Sequence, residues 1–241
     1  MKKTAEIVRF DLQDLNNLDE WEQMDYASLV SGELVQRGRV YHEIAEQGYM
    51  VGVWDCTPFT DRMMPYSVDE YMLFLEGDLT IIMPDTTEVH IQSGDAFVIP
   101  KGFNCQWKQN GFVHKIFMFV DGAVLDANNA SLKRISVPDF DLRNSKNSLI
   151  TSRTEFLNAA GTMRVDVQLY DAMSHPSLAC EEHLLIAVLD DTLTLNTGQC
   201  AHLFSKGQTA YVYQGGLVDW TTMQSTKIIL ARYANFKESS V

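Results

Sequence analysis

Two stretches of this chain repeat one pattern at a fixed interval, and that repeat restricts the fold more than any other feature. Gly94 and Gly207 lie 113 positions apart, as do Gly102 and Gly215, Trp107 and Trp220, Gly48 and Gly161, and Met50 and Met163. The first copy reads Gly94-Asp95-Ala96-Phe97-Val98-Ile99-Pro100-Lys101-Gly102, then Trp107; the second reads Gly207-Gln208-Thr209-Ala210-Tyr211-Val212-Tyr213-Gln214-Gly215, then Trp220. Internal repeats of this length mean one structural unit built twice.

The copies also begin alike. Ile7 to Leu12 and Ser136 to Leu142 share Phe-Asp-Leu at a shift of 130, so the first copy carries 17 extra residues. A short helix is expected within them, between Leu15 and Gln36, from the spacing of Leu18, Trp21 and Met24. The stretch from Asp121 to Lys146 is rich in Asn, Asp and Ser and marks the junction. The expected domains are residues 1–125 and 126–241, with exchange of N-terminal strands between them left open.

Within each copy the apolar runs are short. Tyr71 to Leu75, Leu79 to Ile82, Ala96 to Ile99 and Lys115 to Val120 are separated by turn signals such as Glu76-Gly77-Asp78 and Gln92-Ser93-Gly94-Asp95. Short strands at regular spacing read as a sandwich or barrel. No helical pattern alternates with them, which argues against an α/β sheet.

Charge narrows the partners. Against 32 acidic residues stand 19 Lys and Arg, a formal charge of −13. Such a surface repels phosphate backbones and anionic lipid, so neither nucleic acid nor membrane is expected as a partner. Cys56, Cys105, Cys180 and Cys200 form no CxxC pair and read as reduced thiols in a cytoplasmic protein. The start, Met1-Lys2-Lys3-Thr4-Ala5-Glu6, has no apolar segment of a signal peptide.

Glu70 followed by Gly77, and Gly94-x5-Pro100-x-Gly102, resemble the two sequence motifs of the cupins. The first copy is most similar to the subgroup of ureidoglycine aminohydrolase and the ethanolamine-utilisation cupins. That likeness rests on Val53 to Pro58, Asp69-Glu70-Tyr71, Leu75-Glu76-Gly77, Gly94 to Phe103 and Trp107. The second copy matches through its glycines, Trp220 and patterning. The resemblance implies an all-β chain of two tandem cupin jelly-roll barrels with short helical insertions. It also implies homodimers formed through sheet edges.

A cupin metal site gathers imidazoles and a carboxylate from neighbouring strands, leaving open positions on the metal. In the first copy Met63 and Pro65, or Met64 and Tyr66, stand where the family has two His, and Cys105 stands at the third His position. Glu70 alone remains, and His114 is the residue that could supplement it and Cys105. A thiolate at Cys105 is a further reading, with Lys101, Lys108 or Arg62 as the activating cation. In the second copy His175 lies seven residues before Glu182, the family spacing. His175, Glu182 and either His183 or His202 are therefore candidate ligands for a divalent Mn, Fe, Ni or Zn. Glu181 to His183 alternate faces on a strand, so only one parity points inward.

Three functions remain open. The first, taken as the leading one, is binding of a small polar metabolite in a barrel whose metal site is degenerate, with no cofactor. Its expected lining is Trp54, Arg62, Glu70, Met72, Cys105 and Trp107. Trp107 and Trp220 are also read as core, and Arg39, Arg153 and Arg62 as clamps for a carboxylate or as edge charges. The second is a metal-dependent enzyme of the aminohydrolase kind using the second barrel. The third is a structural subunit with barrels filled by Met63, Met64, Met72, Phe74 and Phe97.

Overall fold

A computed structural model describes residues 5–10, 18–22, 26–122, 131–136 and 150–234, with backbone alone for 26 and 175–178. The described residues form four antiparallel sheets. Two compact units divide the chain: Leu12–Ile135 with Asn158–Ala160, and Ser136–Leu157 with Gly161–Val241 and the N-terminal Met1–Asp11. Each unit is built from two antiparallel sheets, so the all-β, two-unit fold expected from the short strands and the resemblance is the fold observed.

In the first unit one sheet runs Lys133–Arg134, Ala96–Ile99, Asp69–Glu76, Val113–Val120, Tyr49–Cys56, Gln36–Ile44, Asp19–Glu20. Facing it are Glu88–Gln92, Asp78–Ile82, Asn104–Gln109, Phe59–Asp61 and Leu29–Ser31, with Met64–Pro65 also paired to Asn104–Gln109. Alternation sets the inside. On Asp69–Glu76 the residues Met72 and Phe74 join the barrel core, and from the facing sheet come Leu79, Ile81, Ile91 and Trp107. Where Val113–Val120 pairs with Asp69–Glu76 the register shifts, His114 opposing Glu76 and Lys115 opposing Phe74, so Leu75 is the extra residue; Lys115, Phe117 and Phe119 share one face.

In the second unit the larger sheet runs Ile7–Arg9, Thr209–Val212, His183–Val188, Thr226–Tyr233, Met163–Tyr170, Ile150–Leu157. The smaller is Met173–Ala179, Leu217–Thr222, Thr192–Asn196, Ala201–Ser205. Its core includes Tyr170, Leu184, Ile186, Val212, Trp220 and Leu230.

Two local expectations change. Where a helix is expected between Leu15 and Gln36, the described residues form a two-residue strand, Asp19–Glu20, a single 3-10 turn, Tyr26–Ser28, and the strand Leu29–Ser31; Met24 lies outside the described residues. Trp21 packs edge-on against Phe117 at 6.0 Å, so tertiary contact rather than helical spacing positions it. The N-terminal alignment also shifts. Phe10 N–H donates to Thr209 O at 3.1 Å and Ile135 N–H to Ala96 O at 2.8 Å. Ile135, not Phe140, is thus the counterpart of Phe10, and Phe140 falls outside the described residues. The likeness of the two Phe-Asp-Leu triplets misled because a three-residue match carries no information on strand pairing. No helix among the described residues is long and apolar enough to cross a membrane.

Gly77 shows what the turns demand. Its φ is 86°, and a Cβ there would stand 2.1 Å from Phe112 O. Gly94 has φ 92° but open space around it. Gly94→Ala should therefore lose only about 1–2 kcal/mol, the strain of a left-handed backbone. Gly77→Ala should lose clearly more. Equal midpoints for the two variants in urea unfolding would contradict this reading.

Candidate functional site

The first barrel encloses a cavity of about 430 Å³. Its walls are Trp21, Trp54, Phe59, Trp107, Phe117 and Phe119, and its mouth is Met64 to Val68. Each indole is fixed by its N–H. Trp54 Nε1 donates to Gln36 Oε1 at 3.0 Å and Trp107 Nε1 to Gln109 Oε1 at 2.7 Å. Gln109 in turn donates to the carbonyls of Cys56 and Thr57 at 3.1 and 2.9 Å. The two indoles meet edge to face at 6.2 Å, and Phe59 stacks on Trp107 at 6.3 Å.

Inside this aromatic wall sits a cation. Lys115 is only 5% exposed. Its Nζ donates to Glu70 Oε1 at 2.8 Å and lies 3.1 Å from Met72 Sδ. It also lies 4.7 Å from the Trp54 ring centre and 4.9 Å from that of Trp107. The Tyr66 hydroxyl donates to the other carboxylate oxygen, Glu70 Oε2, in a short hydrogen bond. Burial and the negative charge of Glu70 hold the Tyr66 phenol well above its ordinary range, so it stays a donor. Lys115, Glu70 and Tyr66 form one continuous hydrogen-bonded chain.

Of the six expected lining residues, Trp54, Glu70, Cys105 and Trp107 line the cavity. Met72 lies behind, touching Lys115. Arg62 is an error of placement: it is exposed and its Nε donates to Ala27 O at 2.8 Å. It lies just past the end of the strand Phe59–Asp61, outside the cavity lining. Sequence reasoning missed Lys115, Tyr66, Asp61 and Gln36. Lys115 was visible as a charged residue on the parity of Phe117 and Phe119, inside an apolar run. Tyr66 was weighed only as a replaced His.

Cys105 is not an activated thiol. Burial first, and the nearby Asp61 charge second, push it up to about 12. Lys101 is committed to Asp121 and the Gly122 carbonyl. His114 is not among the cavity-lining residues; it lies across from Asp55 and has the opposite strand parity to Lys115.

Among the described residues, which exclude the His175 side chain, the donor sets do not fit a metal. Among the described residues no three His, Cys, Asp or Glu side chains converge. Glu70 is taken by Lys115. In the second barrel Glu182 accepts from Arg232 Nη1 at 3.1 Å. Arg232 Nε is also 3.1 Å from Asp166, which accepts from Thr154 at 2.7 Å and Arg164 at 3.0 Å. His183 has the opposite parity to the core residues Leu184 and Ile186. Its ring stacks 6.0 Å from Tyr211, and its Nδ1 accepts from Gln214 N–H at 3.3 Å. His202 lies across from Leu195, and His175 sits on the strand facing Trp220; the His175 side chain is outside the described residues.

Asp61 Oδ1 accepts the Trp107 N–H at 2.6 Å. Burial nonetheless pushes the carboxyl up to about 7, the hydrogen bond opposing it. Its folded value thus exceeds the unfolded value of about 3.9. The folded state binds the proton more tightly, so stability is full below the unfolded value and falls as pH rises towards 7. Asp61→Asn keeps an acceptor for Trp107 without the buried charge. It should raise the melting temperature relative to wild type at pH 8, with the gap closing at pH 5. A gap independent of pH would contradict the assignment.

Residues 45–117 match the EutQ-like cupin domain. No curated protein matches the chain. Among solved structures, a protein of unknown function from Pseudomonas syringae is 18% identical, with a TM-score of 0.71 over 95% of this chain and 99% of that one. A cupin 2 conserved barrel domain protein from Leptotrichia buccalis is 13% identical, with a TM-score of 0.58 over 83% and 89%. A variant of salicylate 1,2-dioxygenase from Pseudoaminobacter salicylatoxidans is 10% identical, with a TM-score of 0.53 over 77% and 71%. At these identities the likeness is one of fold. The matched domain supports the cupin resemblance for residues 45–117.

Proposed function

We propose that this protein is a two-barrel cupin that binds a small molecule in its N-terminal barrel without a metal. One observation carries the reading: the Lys115 ammonium lies against Glu70 and the faces of Trp54 and Trp107, beside an open aromatic cavity. Glu70 is the single residue of the family's metal motif kept here, and its partner is an internal cation. A pocket of this size with few, convergent polar groups is suited to a compact metabolite. Four free cysteines support a reducing, cytoplasmic setting. A homodimer is the assembly the resemblance suggests.

The aminohydrolase-like alternative has less support. It needs Glu182 as a ligand, whereas Glu182 is paired with Arg232. A purely structural role has less support too, because the first barrel keeps its cavity.

Binding should register in the indoles, since Trp21, Trp54 and Trp107 line the cavity. Titration with a panel of small aromatic acids, amines, alcohols and carbonyl compounds should find one that shifts tryptophan emission and raises the melting temperature. Both responses should disappear in Lys115→Met. A panel with no response, or stoichiometric retention of Mn, Fe, Ni or Zn that Glu182→Ala abolishes, would overturn the proposal.

A further inference from the structure

The charges around the cavity restrict what can enter it. A free anion would face the Glu70 carboxylate and, above neutral pH, that of Asp61, while Lys115, the one cation among the described lining residues, is already paired. An organic cation would find the space between Trp54 and Trp107 filled by that same ammonium. A neutral molecule with an apolar body and one polar atom meets neither obstacle.

The hydrogen-bonded chain adds chemistry. Among the described lining residues Lys115 Nζ carries the only amine, Glu70 Oε1 stands 2.8 Å from it, and Tyr66 holds the other carboxylate oxygen. An amine beside a proton acceptor, facing an apolar space, is the arrangement that condenses with carbonyl groups. We infer that Lys115 forms a reversible imine with a small neutral aldehyde or ketone. This inference rests on the reading of the N-terminal barrel as a ligand-binding pocket.

The step balances with these residues alone. Lys115 passes a proton to Glu70, and the freed lone pair adds to the carbonyl carbon. Glu70 returns the proton to the new alkoxide oxygen. It then takes a second proton from the nitrogen and gives it to the hydroxyl, which leaves as water. One C=O bond and two N–H bonds give way to one C=N bond and one molecule of water, with no change of oxidation state. The product iminium keeps the single positive charge, so the pairing with carboxylate and indole faces persists. Tyr66 acts as a positioning residue, fixing the carboxylate through Oε2.

The test uses the full-length protein with benzaldehyde and sodium cyanoborohydride, read by intact mass and peptide mapping. Lys115 should acquire one benzyl group about 100-fold faster than exposed lysines, the low end of what positioned acid–base help gives. Glu70→Gln should slow that labelling, and Lys115→Arg, which keeps the cation and the ion pair, should abolish it. Label spread over exposed lysines equally in wild type and Lys115→Arg would overturn the inference. Benzyl alcohol, which cannot condense, separates the two claims by thermal shift. Stabilisation by the alcohol without labelling of Lys115 would remove the imine and leave the pocket. Neither response would remove both.

Discussion

The first barrel is organised around one buried ion pair. Taking an ammonium and a carboxylate out of water is expensive, and their attraction offsets this only with good geometry and further hydrogen bonds. Both conditions hold here. Glu70 is 7% exposed and Lys115 5%, the contact is 2.8 Å, and Tyr66 satisfies the remaining carboxylate oxygen. Two indole faces complete the shell around the ammonium. This requirement fixes the rest of the site. The indoles are held in place by Gln36 and Gln109, and Gln109 is anchored to the carbonyls of Cys56 and Thr57.

The second barrel solves a similar problem by other means. Asp166 gathers Thr154, Arg164 and Arg232, and Arg232 reaches on to Glu182. A guanidinium suits this role because its planar fork engages two carboxylates at once, whereas an ammonium is a point charge. In each barrel a carboxylate near the family's metal motif is neutralised by a side chain of the same chain.

Much of the architecture was legible in the sequence because it depends on local rules. Glycines at turns such as Gly94 and Gly102 have positive φ and recur 113 residues on as Gly207 and Gly215. Parity along Asp69–Glu76 assigns Glu70, Met72 and Phe74 to one face. What escaped was governed by long-range pairing. Ile7–Arg9 pairs with Thr209–Val212, a contact between the ends of the chain that no local pattern encodes. Lys115 escaped because a lysine inside an apolar run suggests a strand edge rather than the partner of a buried carboxylate. Glu182 and His183 illustrate the converse. The sequence said one parity must face inward, and only packing decided that Leu184 and Ile186 would share it.

A double-mutant cycle on Lys115→Met and Glu70→Leu tests the central claim most directly, with unfolding free energies measured in urea. Each single change leaves one buried charge alone and should destabilise the protein by about 3–5 kcal/mol. The double variant should be far more stable than the sum of the singles, close to either one or better. Additive losses would mean that the two charges are not coupled, and the account of the first barrel would be wrong.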